Sequence, residues 1–325
     1  MPGNDSILHA YEINKDGSGT PLAGDEISKA IKDDRLAWVH LDATKPESRQ
    51  WLLKEVSYLD QIIIDALLAD ETRPRILEFE EGVLMILRGV NLNEDSKPED
   101  MVSVRIWVDA HRIITMRRRK LKAVQDVREL LESGKGPKDS GEFIAMLSAR
   151  LFERMEPSFM ELDEQLDSIE EAVMEDPDIG ERQGITAIRK RAIVFRRFIA
   201  PQRDVIAYLR TSEVPWLNQT HKRRLQESLD RLIRYIEELD TIRERAQIVK
   251  DELSNALSDA MNKNLYMLSL IAAIFLPLGF LTGLLGINVG GIPGADNPYA
   301  FYVFCGILVV LVFLQILVFR KLKWL

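Results

Sequence analysis

Four carboxylates recur at intervals of seven residues: Asp230, Glu237, Glu244 and Asp251. Two helical turns span about 7.2 residues, so this spacing holds them on one face of a helix. The face continues at steps of three and four through Asn255, Ser258 and Asn262. It then runs through Leu265, Ser269, Ala272, Leu276, Gly279, Gly283 and Gly286. Acids come first, amides and hydroxyls next, then small and apolar residues. In a ring of parallel helices such a face would present acidic rings that attract cations, followed by a narrow, nearly uncharged passage. The same pattern also describes a solvated face that merges into a small-residue surface for helix packing. A straight helix drifts about 20° per heptad against this repeat, so one axis is faced throughout only if the helices supercoil.

The stripe leads to Gly286-Ile287-Asn288. Glycine lets backbones approach an axis, and the asparagine amide offers an acceptor and two donors to the water shell of an ion. Alone, Gly-x-Asn is also an ordinary helix end. Asn288 and, more weakly, Asp251 are the candidate metal contacts, both to a hydrated ion.

Other chemistries are poorly supplied. His9, His40, His111 and His221 are scattered without metal-ligand spacing. His40 reads as a strand residue, and His221 sits among Lys222, Arg223 and Arg224. The single cysteine, Cys305, excludes an internal disulfide and a four-thiolate zinc site, and reads as buried and inert. Ser133–Ser140 contains Gly-Lys, but Glu129 stands where a phosphate-binding loop needs its first glycine. No nucleophile–base pair is present, so the reading is not an enzyme, and no cofactor is expected. Tight zinc binding wants Cys and His. Carboxylates, amides and carbonyls suit weak binding of a hydrated divalent cation instead.

The elements that must carry this stripe are visible in the charge distribution. The chain of 325 residues has 43 Lys and Arg against 51 Asp and Glu, a net charge of −8. That balance argues against a nucleic-acid partner. After Lys263 the only charged residues are Asp296, Arg320, Lys321 and Lys323. Leu265–Ile287 would make a helix of about 34 Å and Tyr299–Phe319 one of about 31 Å, enough for a bilayer core of about 30 Å. Pro277, Gly279, Gly283 and Gly286 in the first run suit a membrane helix better than a soluble one. Lys250 and Lys263 precede the first span, Arg320, Lys321 and Lys323 follow the second, and the connecting loop has no base. This placement predicts both termini in the cytoplasm. Two helices cannot enclose an aqueous path, so conduction would need an oligomer around an axis.

Residues 1–140 read as mixed α/β, with strands at Ala37–Asp42, Val83–Asn91, Val102–Val108 and Arg112–Met116. Helical patterns lie around 47–54, 60–69 and 123–132. Residues 141–263 read as helical, broken at Glu175–Gly184 and Thr211–Thr220, with Pro157 and Pro201 expected to start or kink helices. Glu153–Glu181 carries 12 acids and one base, Arg182–Arg224 carries 11 bases and two acids. Antiparallel neighbours lying acid against base would account for this. The third helix runs from about Asn218 to Ile287, roughly 100 Å at 1.5 Å per residue. Its apolar seam is Leu225, Leu229, Leu232, Ile236, Leu239, Ala246, Val249, Leu253 and Ala260.

Taken together, two terminal spans, a very long helix entering the first and Gly-x-Asn at its outer end resemble the CorA-type metal ion transporters. The resemblance covers essentially the whole chain. It implies an α+β cytoplasmic domain, long helices and two C-terminal transmembrane helices in a funnel-shaped homopentamer. It also implies that Gly286 and Asn288, flanking Ile287, hold the signature positions of a central pore, which the stripe would line with Asn262, Ser269, Leu276, Gly279 and Gly283, and that Arg320, Lys321 and Lys323 form a basic ring at the inner mouth. Ile287 departs from the family's usual Gly-Met-Asn, and Gly290-Gly291-Ile292-Pro293-Gly294 replaces an acidic loop. These features, with Thr72-Arg73-Pro74-Arg75 and Ala200-Pro201-Gln202-Arg203-Asp204-Val205, are similar to the zinc transporter branch, ZntB.

The expected division follows. Residues 1–140 form a cytoplasmic α/β domain and 141–264 a cytoplasmic helical region with the stalk helix. Residues 265–287 and 299–319 span the membrane, 288–298 form an external loop, and 320–325 a basic cytoplasmic tail. By resemblance the cargo is zinc, the partners are copies of the chain and the lipid bilayer, and the location is a bacterial inner membrane. A proton gradient is one possible drive. The residues alone leave open a magnesium or cobalt channel of the same architecture, or a membrane-anchored scaffold or sensor.

Overall fold

The structure is a computed structural model. It describes residues 5–33, 35–70, 72–178, 180–286, 292, 294 and 297–322. In chain order the elements are β1 (Ile7–Ile13), β2 (Gly19–Pro21), α1 (Asp25–Lys32), β3 (Ala37–Asp42), α2 (Pro46–Glu55), α3 (Gln61–Leu68), β4 (Arg75–Glu78), β5 (Val83–Gly89), β6 (Val102–Val108), β7 (Arg112–Arg117), α4 (Lys122–Glu132), α5 (Ser140–Glu153), α6 (Glu156–Glu175), α7 (Glu181–Thr211), α8 (Gln219–Gly286) and α9 (Ala300–Lys321). They form two compact units, Met1–Asp176 with Gly180–Lys250, and Pro177–Ile179 with Asp251–Leu325.

The first unit is built on a seven-stranded sheet of order β2-β1-β3-β7-β6-β5-β4. Only β3 and β7 pair in parallel. Both faces of the central strands are covered, which is why β5 opens on a continuous apolar run and the alternate polar residues Ser103 and Arg105 of β6 are buried too. One face packs Val39, Leu41, Trp107, Ile114 and Met116 against Ile31, Leu52, Ile64 and Leu67 of α1, α2 and α3. On the other, Trp38 meets the ring edge of Phe143 in α5 at 5.0 Å. The β6–β7 hairpin turns through Asp109, whose Oδ1 accepts the N–H groups of His111 and Arg112, each at 2.8 Å.

Sequence periodicity places β3, β6, α2, α3 and α4 within a residue or two, while β5 stops at Gly89 and β7 extends to Arg117. It misses β1, β2, β4 and α1. The strand β1 mixes His9, Tyr11 and Glu12 into an irregular pattern, and β4 is a short, exposed edge strand among acids. Both become strands because a neighbouring strand pairs with them.

Carbonyls following α3 are collected by arginines from the sheet. Arg118 Nη1 donates to Leu68 O at 3.4 Å, Arg105 Nη2 to Ala69 O at 2.8 Å, and Arg88 Nη2 to Thr72 O at 2.6 Å. These groups satisfy acceptors that a helix end leaves open. Arg105 is almost fully buried, and that burial, with Arg118 and Arg88 nearby, pushes its pKa down to about 10.

In α6, α7 and α8 the aromatic contacts meet at Phe159, which lies 5.0 Å edge-on from both Phe195 and Tyr235. Pro157 stands in the first turn of α6, where its missing N–H costs nothing, and Pro201 lies inside α7. The expected acid-against-base pairing of α6 with α7 is corrected. Arg245 of α8 takes Asp163, Asp167 and Glu170 together, because steps of four and three put all three carboxylates on one α6 face. The α7 base Arg196 pairs with Asp240 of α8 at 2.7 Å, and Arg191 with Glu99 at 3.4 Å.

Candidate functional site

One face of α8 is the buried seam. Leu225, Leu229, Leu232, Ile236, Leu239, Ala246, Val249 and Leu253 are all buried, joined by Tyr235 and Ile242. Ala260, expected in the same seam, is exposed. It lies past Leu253, the last buried position of α8 among the described residues.

The acidic positions lie off the seam. In the first unit Asp230, Glu237 and Glu244 are exposed. Asp230 accepts from Gln226 Nε2 at 2.7 Å, Glu244 lies 3.5 Å from Arg243, and the Thr241 hydroxyl donates to the Glu237 carbonyl at 2.9 Å. Asp240, which pairs with Arg196 of α7, is half-buried, whereas these three are exposed. Ile248, on the same stripe, is 57% exposed, a large apolar side chain with no cover inside the chain.

In the second unit Asp251, Asn255, Ser258, Asn262, Leu265, Ser269, Ala272, Leu276, Gly279, Gly283 and Gly286 are exposed. The Ser258 and Ser269 hydroxyls donate to the carbonyls of Ser254 and Leu265, each at 2.8 Å, which leaves their lone pairs outward. The membrane-length part of α8 shows three faces. Positions 270, 273, 274, 277, 278 and 281 are partly covered, and α9 answers with 304, 305, 308, 311, 312, 315 and 319. Met267, Leu268, Ile271 and Phe275 form a bulky exposed face suited to lipid. Between these lies the stripe, mostly of small residues. A Cβ built on Gly279, Gly283 or Gly286 would meet nothing within 4 Å. Packing within one chain therefore gives no reason for these glycines.

Ile287, Asn288 and Lys323 lie outside the described residues. Arg320 and Lys321 are exposed in the last turn of α9, where cations also suit the helix dipole. Cys305 is half-buried rather than buried, on the α9 face turned to α8. His221 is buried at the start of α8, where Asn218 Oδ1 caps the helix by accepting the N–H groups of Thr220 and His221 at 2.9 and 3.0 Å.

Sequence reasoning passed over Gln315. Its Nε2 donates to the Ala273 carbonyl at 3.2 Å, joining α9 to α8. The signal was present, since a lone amide in an apolar span is costly unless paired. Among the described residues, no group of three or more His, Cys, Asp or Glu side chains could hold a metal ion. Two helices, Gln219–Gly286 and Ala300–Lys321, are long and apolar enough to cross a membrane, and their apolar windows are not buried in the structure.

Comparison with known proteins agrees over nearly the whole chain. A family model described as CorA-like Mg2+ transporter protein matches residues 33–321. The chain is 38% identical over 322 residues to the divalent cation transporter CmaX of Pseudomonas aeruginosa, covering 98% of this chain and 97% of that protein. It is 37% identical over 318 residues to the zinc transport protein ZntB of Pectobacterium atrosepticum, covering 98% and 96%. The solved structure of full-length CmaX superposes with a TM-score of 0.85 at 39% identity, covering 98% of both chains.

Proposed function

The chain belongs to the CorA-like Mg2+ transporter family, and from that premise we propose that it passes zinc, as a hydrated ion, through a central pore of a homopentamer. The observation that carries the reading is the exposed stripe of α8, whose glycines serve no packing inside one chain. A ring of copies gives that face an axis. Asp230, Glu237, Glu244 and Asp251 raise the local cation concentration. Asn262, Ser269, Leu276, Gly279, Gly283 and Gly286 line the narrow passage, and Ile287 and Asn288 complete its outer end. Ile287 in place of methionine, an uncharged Gly290–Gly294 segment and the likeness to ZntB favour zinc over magnesium. Arg320, Lys321 and Lys323 surround the inner mouth in a funnel-shaped assembly.

In this reading the protein sits in a bacterial inner membrane with both termini cytoplasmic, as the Lys and Arg placement requires. Spans at 265–287 and 299–319 are joined by an external loop at 288–298. Residues 1–140 and 141–264 hang in the cytoplasm, and 320–325 form the tail. Metal uptake into vesicles of purified protein tests it, comparing zinc with magnesium under imposed pH gradients. Zinc flux that Asn288→Ala abolishes in an intact oligomer supports the proposal, and flux that follows the gradient assigns proton coupling. Wild-type flux by assembled Asn288→Ala protein would move the selectivity element elsewhere.

A further inference from the structure

Pro277 lies inside α8 and has no N–H to donate. The carbonyl that loses its helical partner is four residues earlier, at Ala273. The Gln315 Nε2 of α9 stands 3.2 Å from that carbonyl oxygen and supplies the missing donor. A carbonyl only accepts, so the amide must turn its nitrogen toward it. Gln315 is the only amide side chain between Ala300 and Lys321. In hydrocarbon no water can replace it, and an open carbonyl there is costly.

The turns that follow are also held by side chains. Thr282 Oγ1 donates to the carbonyls of Leu278 and Gly279, at 2.9 and 3.1 Å. Between and beyond these bonds α8 carries Gly279, Gly283 and Gly286, which add backbone freedom and no side-chain cover. The stretch from Ala273 to Gly286 thus combines one broken ladder bond with three glycines. The Gln315 bond replaces the one ladder bond that Pro277 removes from it.

We propose that Gln315 is a positioning residue for cation passage: by pairing the carbonyl that Pro277 frees, it fixes the turn from which the Gly279–Gly286 face is presented. The inference rests on the transport reading above. The Gln315 side chain lies on the α8-facing side of α9, so it acts through α8 rather than by touching the ion.

The test is a double-mutant cycle on the full-length oligomer in lipid, read by amide hydrogen exchange over residues 274–282 and by zinc flux. Pro277→Ala restores a backbone donor for Ala273, so it removes the need for Gln315. Gln315→Leu alone should speed exchange in 274–282 about threefold, the average effect of an interhelical side-chain bond in a membrane, and should lower flux. In the Pro277→Ala background, Gln315→Leu should change neither. If Gln315→Leu fails to assemble, recovery of assembly in the double variant supports the proposal, and no recovery overturns it. Equal effects in both backgrounds, or no change in exchange in either, also overturn it. Wild-type protein that passes no cation would instead overturn the transport reading, whatever the exchange data show.

Discussion

The side-chain Oε1 of Gln202 accepts the backbone N–H of Arg88 at 2.8 Å. The strand β4 pairs β5 only from Val83 to Ile86, so the N–H of Arg88 lies beyond its reach. The helix α7 brings Gln202 there, one residue after Pro201, and its amide takes the place of the next strand. The Arg88 guanidinium donates to the carbonyls of Thr72 and Met101 and lies 4.3 Å from the centre of the Phe198 ring. Thr72-Arg73-Pro74-Arg75 and Ala200–Val205, distant in sequence, therefore converge on one residue.

Replacing Gln202 with leucine should remove the acceptor that this N–H meets in the wild type. The expected cost is about 1–3 kcal/mol of stability. Denaturant unfolding followed by fluorescence of the buried Trp38 and Trp107 measures it. An unchanged midpoint would show that the edge of β5 finds another acceptor.

Gly283→Val should separate packing within a chain from packing around an axis. An added Cβ there meets nothing within 4 Å inside the chain, so folding of the subunit should be unaffected. In a ring the branched side chains would crowd the narrow passage, and zinc flux should fall at least about tenfold, as expected for a constriction narrowed on every subunit. Normal flux from an assembled variant would turn this face toward lipid.

Neutralising Asp230, Glu237, Glu244 and Asp251 together should reduce flux most at low ionic strength. Exposed charges act over a Debye length of about 10 Å at 0.1 M salt and about 30 Å at 0.01 M. A loss of the same size at every salt concentration would indicate an assembly defect and remove the cation-attracting role.

Stability should fall with acidification because of the histidines in the sheet. Burial, with Arg128 and Arg117 close by, pushes the pKa of His9 down to about 3, while nearby Glu132 opposes the shift. His9 stacks on the fully buried His40 at 4.7 Å, whose pKa burial also holds well below the usual value. Between pH 6.5 and about 3 the unfolded chain binds a proton that folded His9 refuses. That contribution is complete above pH 6.5 and is lost by about 1.4 kcal/mol per pH unit below it. Unfolding midpoints at pH 7 and pH 5 should differ less in His9→Phe than in the wild type. An equal difference would assign the acid sensitivity to other groups.

Local pattern alone carried much of this protein. Hydropathy and charge separate two membrane-length helices from the rest, because a span must satisfy its own backbone and exclude charge. The heptad acids and the small-residue stripe are likewise legible, since positions three and four apart share a helix face whatever surrounds the helix. Glycine and proline positions already marked the first span as better suited to a membrane than to a soluble core.

What the chain could not state locally is which face meets which neighbour. The acids of α6 suit either basic helix, and only the fold gives Asp163, Asp167 and Glu170 to Arg245 of α8. The edge strand β4 takes its form from β5, because a short charged segment becomes a strand only when a partner satisfies its backbone. Gln202 and Gln315 read as isolated amides in sequence. Each is explained by a backbone group far along the chain, Arg88 N–H for one and Ala273 C=O for the other. Helix periodicity is a property of neighbours in sequence. The pairing of polar groups across the fold is decided by three-dimensional proximity, which the tertiary structure supplies.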